Sequence, residues 1–317
     1  MRRILLIKTS SLGDVVHNLP VASDIARTYG DAGIDWVVEE SFAAIPRLHP
    51  GVGEIIPAAV RRWRSSLFST ATWREILRFI SGLREHHYDA VIDTQGLLKS
   101  ALITCAAHGK RYGLDWRSSR EPLRCFYDRT FRVPWTQHAV ERNRSLAAQA
   151  LGYTLEPRID YAIGAIQQQF TWLTAQPYAV LLHATSAESK QWPDAQWENV
   201  CKYLILNNIF CTFPWGNEAE RARSEYLHTR VPDSVVPPRL PLDQVASLLA
   251  GAYLVIGVDT GLTHLAAALG RPSIGIYCAT DPAATGLYGA ANAVNLGGIN
   301  APPTAAEVIA AIERVVS

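Results

Sequence analysis

Short apolar runs followed by small or polar turns recur along the chain, and most of them lead into apolar residues at helical spacing. The runs predict strands over residues 4–8, 35–39, 53–57 and 88–93 in the first half and over residues 178–183, 209–213, 253–258 and 272–277 in the second. Helices are predicted from Asp14, with an interruption around Pro20, and over residues 97–107, 139–151, 193–207, 220–228, 242–250 and 304–316. This alternation is typical of a doubly wound α/β fold, in which helices cover both faces of a parallel sheet.

One of these junctions lies at residues 252–268, AYLVIGVDTGLTHLAAA. Its first apolar run is too short for a buried helix and ends at Asp259, Thr260 and Gly261, after which apolar residues recur at helical spacing. A helix that begins at the carboxyl end of a strand presents unpaired backbone N–H groups and the positive end of its dipole, and glycine lets a ligand approach the backbone. The turn therefore predicts an anion site, most simply for phosphate. A purely structural cap formed by Asp259 or Thr260 explains the same residues.

The length of the chain predicts two domains. At 317 residues it exceeds what one core usually serves, and the pattern weakens around Pro157 and Gly164. We therefore expect domains at residues 1–160 and 161–317, with the last helix a candidate to pack back on the first domain. Ligands of open parallel sheets bind at the carboxyl ends of the strands, so two such sheets predict two Rossmann-like domains that face a central cleft.

Charge is unevenly divided between these halves. The first 160 residues carry 22 Lys and Arg against 17 Asp and Glu, whereas the remaining residues carry 8 against 12. A basic half suggests an anionic partner. The excess is mild, however, and the sequence has no recognition motif for nucleic acid, so we expect no nucleic-acid partner.

The composition disfavours several other classes of protein. No apolar run approaches the roughly 18 residues that span a bilayer, and the N-terminus leads directly into a strand rather than a signal peptide. The five cysteines are widely spaced without a CxxC pair, and no DxD at a strand end or cluster of His and Cys suggests a metal. The sequence thus predicts a cytoplasmic protein without a metal or other cofactor.

A basic and aromatic stretch lies between the third and fourth predicted strands. It begins with RRWR at residues 61–64 and continues with apolar residues that include Leu67, Phe68 and Trp73, interleaved with further arginines. This composition suits a membrane surface or a phosphorylated amphiphile. An ordinary amphipathic helix with a solvated arginine face fits about as well.

Ten segments occur in order along the chain: KTSSLGDVVHNLP (8–20), DWVVEE (35–40), RRWR (61–64), YDAVID (88–93), QGLLKS (95–100), REPL (120–123), HAVER (138–142), HAT (183–185), PWG (214–216) and VDTGLTHLAAAL (258–269). Together they resemble the bacterial ADP-heptose:lipopolysaccharide heptosyltransferases, and RRWR and REPL resemble the members that add the first heptose. The resemblance implies the GT-B glycosyltransferase fold, with two doubly wound domains. It also implies direct displacement with inversion at the anomeric carbon and no obligatory metal.

The resemblance implies a binding site for ADP-heptose in the second domain. Thr260 and Gly261 match backbone donors to the diphosphate, and Lys190 matches a lysine that neutralises charge on the leaving ADP. The other donor contacts that the resemblance implies are Thr185, Ser186, Pro214, Trp215, Gly216, Glu220, Leu240, Asp259, Leu262 and His264.

The resemblance places the catalytic carboxylate and the acceptor contacts in the first domain. Asp14 matches a carboxylate that takes the proton of the acceptor hydroxyl. From the residues alone, Asp14 is also a helix N-terminal residue that the helix dipole favours. Arginine binds carboxylate and phosphate with two parallel hydrogen bonds. The candidate acceptor residues are Ser10, Ser11, Gly13, Arg61, Arg62, Arg64, Arg120 and Arg144.

The implied activity is transfer of L-glycero-D-manno-heptose from ADP-heptose to a Kdo residue of Kdo-lipid A, at the cytoplasmic face of the inner membrane. Two alternatives stay open at this point. One is a heptosyltransferase that acts later on the growing core, and the other is a nucleotide-sugar binding or epimerising protein with the same fold. The basic and aromatic stretch favours the transferase, because a soluble epimerase has no need of it.

Overall fold

The computed structural model describes residues 2–165, 168–173, 177–185 and 187–316. Its contacts divide the chain into two compact units, Met1–Ala162 and Ile163–Ser317. Each unit contains one six-stranded sheet in which all neighbouring strands are parallel. The predicted α/β class is confirmed.

The sheet of the first unit is doubly wound. Its strands are β1 (Arg3–Ile7), β2 (Gly33–Glu39), β3 (Val52–Ala58), β4 (His87–Asp93), β5 (His108–Leu114) and β6 (Arg129–Phe131). Their order is β3-β2-β1-β4-β5-β6, so the direction of winding reverses between β1 and β4. Ile7 at the end of β1 is in register with Asp93 at the end of β4. The loops after these two strands therefore meet at the switch point where open parallel sheets bind ligands.

In the described residues of this unit, six α-helices accompany the sheet. They are α1 (Leu12–Val16), α2 (Leu19–Thr28), α3 (Val60–Ser65), α4 (Thr70–Leu83), α5 (Leu98–Ala106) and α6 (Ala139–Leu151). The predicted interruption lies between α1 and α2, just before Pro20 rather than at it. Pro20 occupies the first turn of α2, where its missing N–H has no helical partner to lose.

The sheet of the second unit repeats this winding. Its strands are β7 (Tyr178–Leu182), β8 (Phe210–Thr212), β9 (Ser234–Val235), β10 (Leu254–Val258), β11 (Ser273–Tyr277) and β12 (Ala293–Gly297). Their order is β12-β11-β10-β7-β8-β9, which reverses between β7 and β10. The loops that follow these two strands thus meet at the second switch point.

The helices of the second unit follow its strands in the same alternating manner. They are α7 (Asp194–Leu206), α8 (Glu218–Arg230), α9 (Leu242–Gly251), α10 (Gly261–Ala268), α11 (Pro282–Thr285) and α12 (Ala305–Val316). The last helix, α12, packs against α7, β11 and β12 of its own unit. At the start of α10, the Thr263 hydroxyl donates to the carbonyl of Val258 at 2.8 Å. A Cβ atom at Gly257 would lie 2.1 Å from that hydroxyl, so the glycine makes this junction possible.

Four strands, β5, β6, β9 and β12, have no counterpart among the predicted elements. Three of them are the edge strands β6, β9 and β12, and β5 lies next to an edge. Their residues are exposed or half-buried, apart from the last three of β5 and Ser234 of β9. A strand with little buried surface carries little apolar pattern, so the sequence signal for these strands is weak.

Candidate functional site

A polar cluster of the second unit lies at its switch point, around Asp259. The Lys190 ammonium, in a short 3-10 turn after β7, lies 2.7 Å from Asp259 Oδ2. The Thr280 hydroxyl donates to the same oxygen at 2.8 Å, and His264 Nε2 lies 3.6 Å from Oδ1. The Thr185 hydroxyl donates to the Asp259 carbonyl at 3.4 Å. Asp259 thus holds a cation from a loop 69 residues away beside the start of α10.

Asp259 stays ionised in this setting. Burial by itself raises the pKa of its carboxyl group, but the hydrogen bonds from His264, Lys190 and Thr280 and the charge of Lys190 outweigh it. The net effect holds the pKa of Asp259 well below its usual range. The Asp259 carboxylate therefore keeps its negative charge at neutral pH.

The turn before α10 retains the groups expected of an anion site. Thr260 is the N-cap residue, but its side chain makes no capping hydrogen bond. The Asp259 carboxylate faces Lys190 and Thr280 instead. Simple side-chain capping therefore does not account for these two residues. The N-terminus of α10, with Gly261 and Leu262 in its first turn, keeps its positive dipole end beside the Lys190 ammonium.

The residues expected around the nucleotide base and ribose form a second group in this unit. Trp215, after Pro214, donates its indole N–H to the Pro237 carbonyl at 2.8 Å. Glu220, in the first turn of α8, accepts from the Gly216 amide at 2.7 Å. Its other oxygen accepts from the Asn217 side chain at 2.8 Å. Glu220 therefore stabilises this loop through two hydrogen bonds. Its contact with ribose stays a prediction. Leu240 is half-buried just before α9, and Ser186 lies outside the described residues.

Asp14 lies in the first unit, in the loop and short helix after β1. One of its carboxylate oxygens, Oδ2, accepts from the Ser11 amide at 2.8 Å and from the Ser11 hydroxyl at 2.9 Å. The bond from the Ser11 amide is one half of a capping box at the start of α1, and the two bonds together fix the Asp14 side chain. In the described part of the chain, no hydrogen bond engages the other oxygen, Oδ1. The structural and the catalytic interpretation of Asp14 are therefore compatible, since each uses a different oxygen.

Two lysines that the sequence analysis did not select lie close to this loop. Lys8 is buried and donates to the Thr94 carbonyl at 2.9 Å and to Asn143 Oδ1 at 3.3 Å. Lys99 donates to the Ser10 hydroxyl at 2.5 Å. Burial lowers the pKa of Lys99, and the nearby arginines Arg61 and Arg64 lower it further. Both lysines belong to segments quoted above. Lys8 directly follows β1 and Lys99 lies in the first turn of α5, and these positions at strand and helix ends could have identified them from the sequence.

The five candidate arginines have different environments. Arg61, Arg64 and Arg120 are exposed. Arg62 is also exposed, but it already pairs with the carboxylates of Glu40 and Glu75 at 3.0 and 2.7 Å.

Arg144 does not have the exposure expected of an acceptor residue, because its side chain is only 1% exposed. Its Nε lies 2.7 Å from Asp24 Oδ2, and its terminal nitrogens contact Glu141 and the carbonyls of Glu156 and Arg158. Every nitrogen of this guanidinium has a partner inside the unit, so we remove Arg144 from the acceptor residues.

Neither a metal cluster nor a membrane span is found in the part of the chain that the structure describes. No group of three or more His, Cys, Asp or Glu side chains there could hold a metal ion. No helix there is long and apolar enough to cross a bilayer.

The chain contains two doubly wound sheets. A cation and a helix N-terminus lie at one switch point, and a free carboxylate oxygen lies near the other. These features together define a GT-B glycosyltransferase. The model of glycosyltransferase family 9 (heptosyltransferase) matches residues 76–310. The chain is 44% identical to lipopolysaccharide heptosyltransferase 1 of Salmonella typhimurium, over 90% of this chain and 92% of that protein. The chain therefore belongs to glycosyltransferase family 9, the heptosyltransferases, and the predicted family is confirmed.

Solved structures agree with this assignment. The E. coli heptosyltransferase WaaC with ADP has a TM-score of 0.91 and 42% identity, and the match covers 99% of both chains. WaaC with ADP-2-deoxy-2-fluoro heptose has a TM-score of 0.87 and 41% identity, with 98% of this chain and 99% of that chain covered.

Proposed function

We propose that this protein transfers L-glycero-D-manno-heptose from ADP-heptose to a Kdo residue of Kdo-lipid A, with inversion at the anomeric carbon. The observation that carries the proposal is the Lys190 ammonium, held by Asp259 beside the N-terminus of α10. A cation beside backbone N–H donors is the combination that suits a diphosphate. The WaaC structures with ADP and with ADP-2-deoxy-2-fluoro heptose support the choice of donor.

The donor half of the site, formed by Lys190 and the start of α10, acts on the leaving group. As the bond between the anomeric carbon and the phosphate oxygen breaks, negative charge grows on the ADP diphosphate. Lys190 and the backbone N–H groups at Gly261 and Leu262 stabilise that charge where it develops. They supply the positive charge for which other transferases use a divalent metal, so the reaction has no metal requirement. Asp259 keeps the ammonium in place before the donor binds.

The acceptor half of the site, around Asp14, activates the nucleophile. A Kdo hydroxyl attacks the anomeric carbon and gives its proton to Asp14 as the new glycosidic bond forms. The bonds from Ser11 to Oδ2 hold the carboxylate in one orientation, and Oδ1 accepts the proton. Each turnover therefore produces the glycoside, ADP and one proton.

The acidic acceptor is recognised by cations of the first unit. Arg61, Arg64 and Arg120 are exposed and suit its carboxylates and phosphates, while Ser10, Ser11 and Gly13 line the loop beside Asp14. Lys99 adds a further positive charge through its bond to Ser10.

The same unit contacts the membrane that carries the acceptor. Phe68 is fully exposed between α3 and α4, and Leu67, Trp73 and Leu77 are exposed beside it. The exposed arginines Arg64, Arg74 and Arg78 lie on the same two helices and the turn between them. Apolar side chains that enter the headgroup region, flanked by cations that attract anionic lipid, are typical of a peripheral protein. We therefore place the protein at the cytoplasmic face of the inner membrane.

Release of ADP tests the activity directly. The protein is incubated with ADP-heptose, with and without O-deacylated Kdo-lipid A, in buffer with and without EDTA. We expect ADP release that requires the acceptor and is unchanged by EDTA. Release without any acceptor would indicate a hydrolase. No release with this acceptor, but release with a core that already carries one heptose, would indicate a later heptosyltransferase.

A further inference from the structure

Arg223 lies on α8, one helical turn after Glu220, and all three nitrogens of its guanidinium donate hydrogen bonds. Nη1 donates to the His183 carbonyl at 3.0 Å, and Nη2 donates to the Trp192 carbonyl at 2.7 Å. Nε and Nη2 both donate to Asp194 Oδ1, at 3.0 and 2.7 Å. This one side chain therefore joins α8 to the residue that follows β7 and to the start of α7.

The two carbonyl partners of Arg223 lie on either side of Lys190 in the sequence. His183 directly follows β7 and precedes Lys190, whereas Trp192 lies two residues after it. Trp192 is fully buried, and its indole N–H donates to the Pro303 carbonyl at 2.8 Å. The chain is thus anchored just after Lys190 at a residue whose carbonyl Arg223 also binds.

The short turn that carries Lys190 has little packing of its own. Glu188, Ser189 and Gln191 are exposed. The turn is closed by backbone bonds, from the Lys190 N–H to the Ala187 carbonyl at 3.0 Å and from the Gln191 N–H to the Glu188 carbonyl at 2.9 Å. Because so little of this turn is buried, its position depends on polar contacts with the elements around it.

A second contact fixes α8 against the same end of β7. His183 Nε2 lies 2.7 Å from the hydroxyl oxygen of Ser224, the residue after Arg223, and both residues are fully buried. Burial and the charge of Arg223 lower the pKa of His183 to about 3, so the ring is neutral at neutral pH. The helix is therefore a fixed support from which the Arg223 guanidinium reaches the chain around Lys190.

We propose that Arg223 is a positioning residue for catalysis, which fixes the backbone on both sides of Lys190 so that its ammonium is preorganised for the ADP diphosphate. This inference rests on the proposed function, in which Lys190 stabilises the leaving group. Asp259 contacts the ammonium itself, whereas Arg223 holds the backbone from which that side chain extends. A guanidinium suits this role, because its planar fork donates in several fixed directions at once. Misplacement of a group by about 1 Å can cost about 100-fold in rate.

A double-mutant cycle with Lys190 tests this role, because a residue that acts through Lys190 has nothing to position once the ammonium is absent. Acceptor-dependent ADP release is measured at saturating donor and acceptor for Arg223→Gln and Arg223→Lys, each in the wild-type and in the Lys190→Met background. The rate is expressed per folded molecule, with the folded fraction taken from urea unfolding. We expect Arg223→Gln to lower kcat by about 10- to 100-fold in the wild-type background but by less than about 3-fold without Lys190. Arg223→Lys keeps the charge without the planar fork, so its kcat should lie between those of Arg223→Gln and wild type.

Arg230→Gln is the matched control for this cycle. Arg230 lies on α8 seven residues after Arg223, close to two full turns, and its Nε lies 2.8 Å from Glu198 Oε1 on α7. The control therefore shows whether loss of an ion pair between α8 and α7 is enough by itself to lower kcat. We expect kcat to stay within about 2-fold of each background.

Equal losses of kcat from Arg223→Gln in both backgrounds would show that Arg223 acts independently of Lys190 and would overturn the inference. A wild-type kcat in Arg223→Gln, or a loss no larger than that in Arg230→Gln, would overturn it as well. If Lys190→Met itself keeps the wild-type kcat, there is no ammonium function to position and the inference fails. In these cases acceptor-dependent ADP release by the wild type leaves the transferase activity intact, whereas absence of that release in the wild type would refute the proposed function itself.

Discussion

Replacement of Lys190 by methionine tests the donor half of the site most directly. Methionine has nearly the same length and apolar stem but no charge, so the change removes one cation with little change of shape. In the wild type, Lys190 lies 2.7 Å from Asp259, and the two side chains are 28% and 10% exposed. The substitution therefore has two consequences: ADP loses a counter-charge in the transition state, and a buried carboxylate loses its partner.

Both consequences have an expected size. Loss of one preorganised donor to a developing oxyanion costs about 100- to 1,000-fold in kcat, or about 2.7–4 kcal/mol. Loss of one partner from a fully buried ion pair costs about 3–5 kcal/mol of stability. Because solvent reaches Lys190, we expect about 2 kcal/mol here. For a unit of this size that corresponds to a decrease in Tm of roughly 4–8 °C.

The stability effect should depend on pH in a defined direction. Since the pKa of Asp259 is held below its unfolded value, the carboxylate stabilises the fold above about pH 4, and this contribution is lost as the pH falls further. Without Lys190, the pKa of Asp259 moves up toward its unfolded value, because one hydrogen bond and one charge that lower it are gone, and less stabilisation remains to be lost. The difference in Tm between wild type and variant should therefore be largest at neutral pH and should narrow below about pH 4.

The assays are ADP release at saturating donor and acceptor, and thermal unfolding at about pH 7.5 and at about pH 2.5, below the pH at which the stabilisation by Asp259 begins to be lost. Lys202→Met is the matched control, because Lys202 is exposed in the same unit and lies 3.9 Å from Glu198. It should change stability by less than about 0.5 kcal/mol and leave kcat unchanged. If Lys190→Met lowers Tm but keeps the wild-type kcat, Lys190 is only a counter-ion for Asp259 and the proposed role in catalysis is refuted.

Three further substitutions test the first unit. Asp14→Asn removes the proton acceptor but keeps the shape of the side chain, so we expect kcat to fall at least about 100-fold, with ADP-heptose affinity unchanged in calorimetry. Arg144→Met leaves the buried Asp24 without its main partner and should destabilise the protein by about 3 kcal/mol in urea unfolding, without a specific effect on acceptor KM. The double replacement of Phe68 and Leu77 by serine should reduce sedimentation with anionic vesicles while ADP release from a delipidated acceptor stays at the wild-type rate.

Each of these predictions has a control and a contrary outcome. Equal loss of donor affinity and turnover in Asp14→Asn would make Asp14 a structural residue only. Arg158→Met, at an exposed ion pair, should be nearly neutral, and an equal effect at Arg144 would contradict its assignment to the core. Leu206→Ser removes an even more exposed leucine, from the second unit, so the same loss of vesicle binding there would argue against a membrane surface at Phe68 and Leu77.

The alternating pattern of the sequence was enough to predict both parallel sheets and the strand, turn and helix around Asp259. A buried strand needs a continuous apolar run, so β1, β4, β7 and β10, which form the two switch points, give the clearest signals. The edge strands β6, β9 and β12 are paired on one side only, and their sequences need no such run. The resemblance of ten short segments identified the family, and with it the candidate roles of Asp14 and Lys190.

Tertiary structure alone decided which charged side chains are available. Arg142 and Arg144 are equivalent in a sequence, since both are arginines in the first half of one helix. The fold turns Arg144 toward Asp24, 120 residues earlier in the chain, and brings Arg142 over Trp135 beside Arg120. Lys190 likewise contacts Asp259 only because their loops follow β7 and β10, which are adjacent strands of one sheet. Local patterns determine the strands and helices, whereas the neutralisation of a charge depends on partners that only folding brings within hydrogen-bond distance.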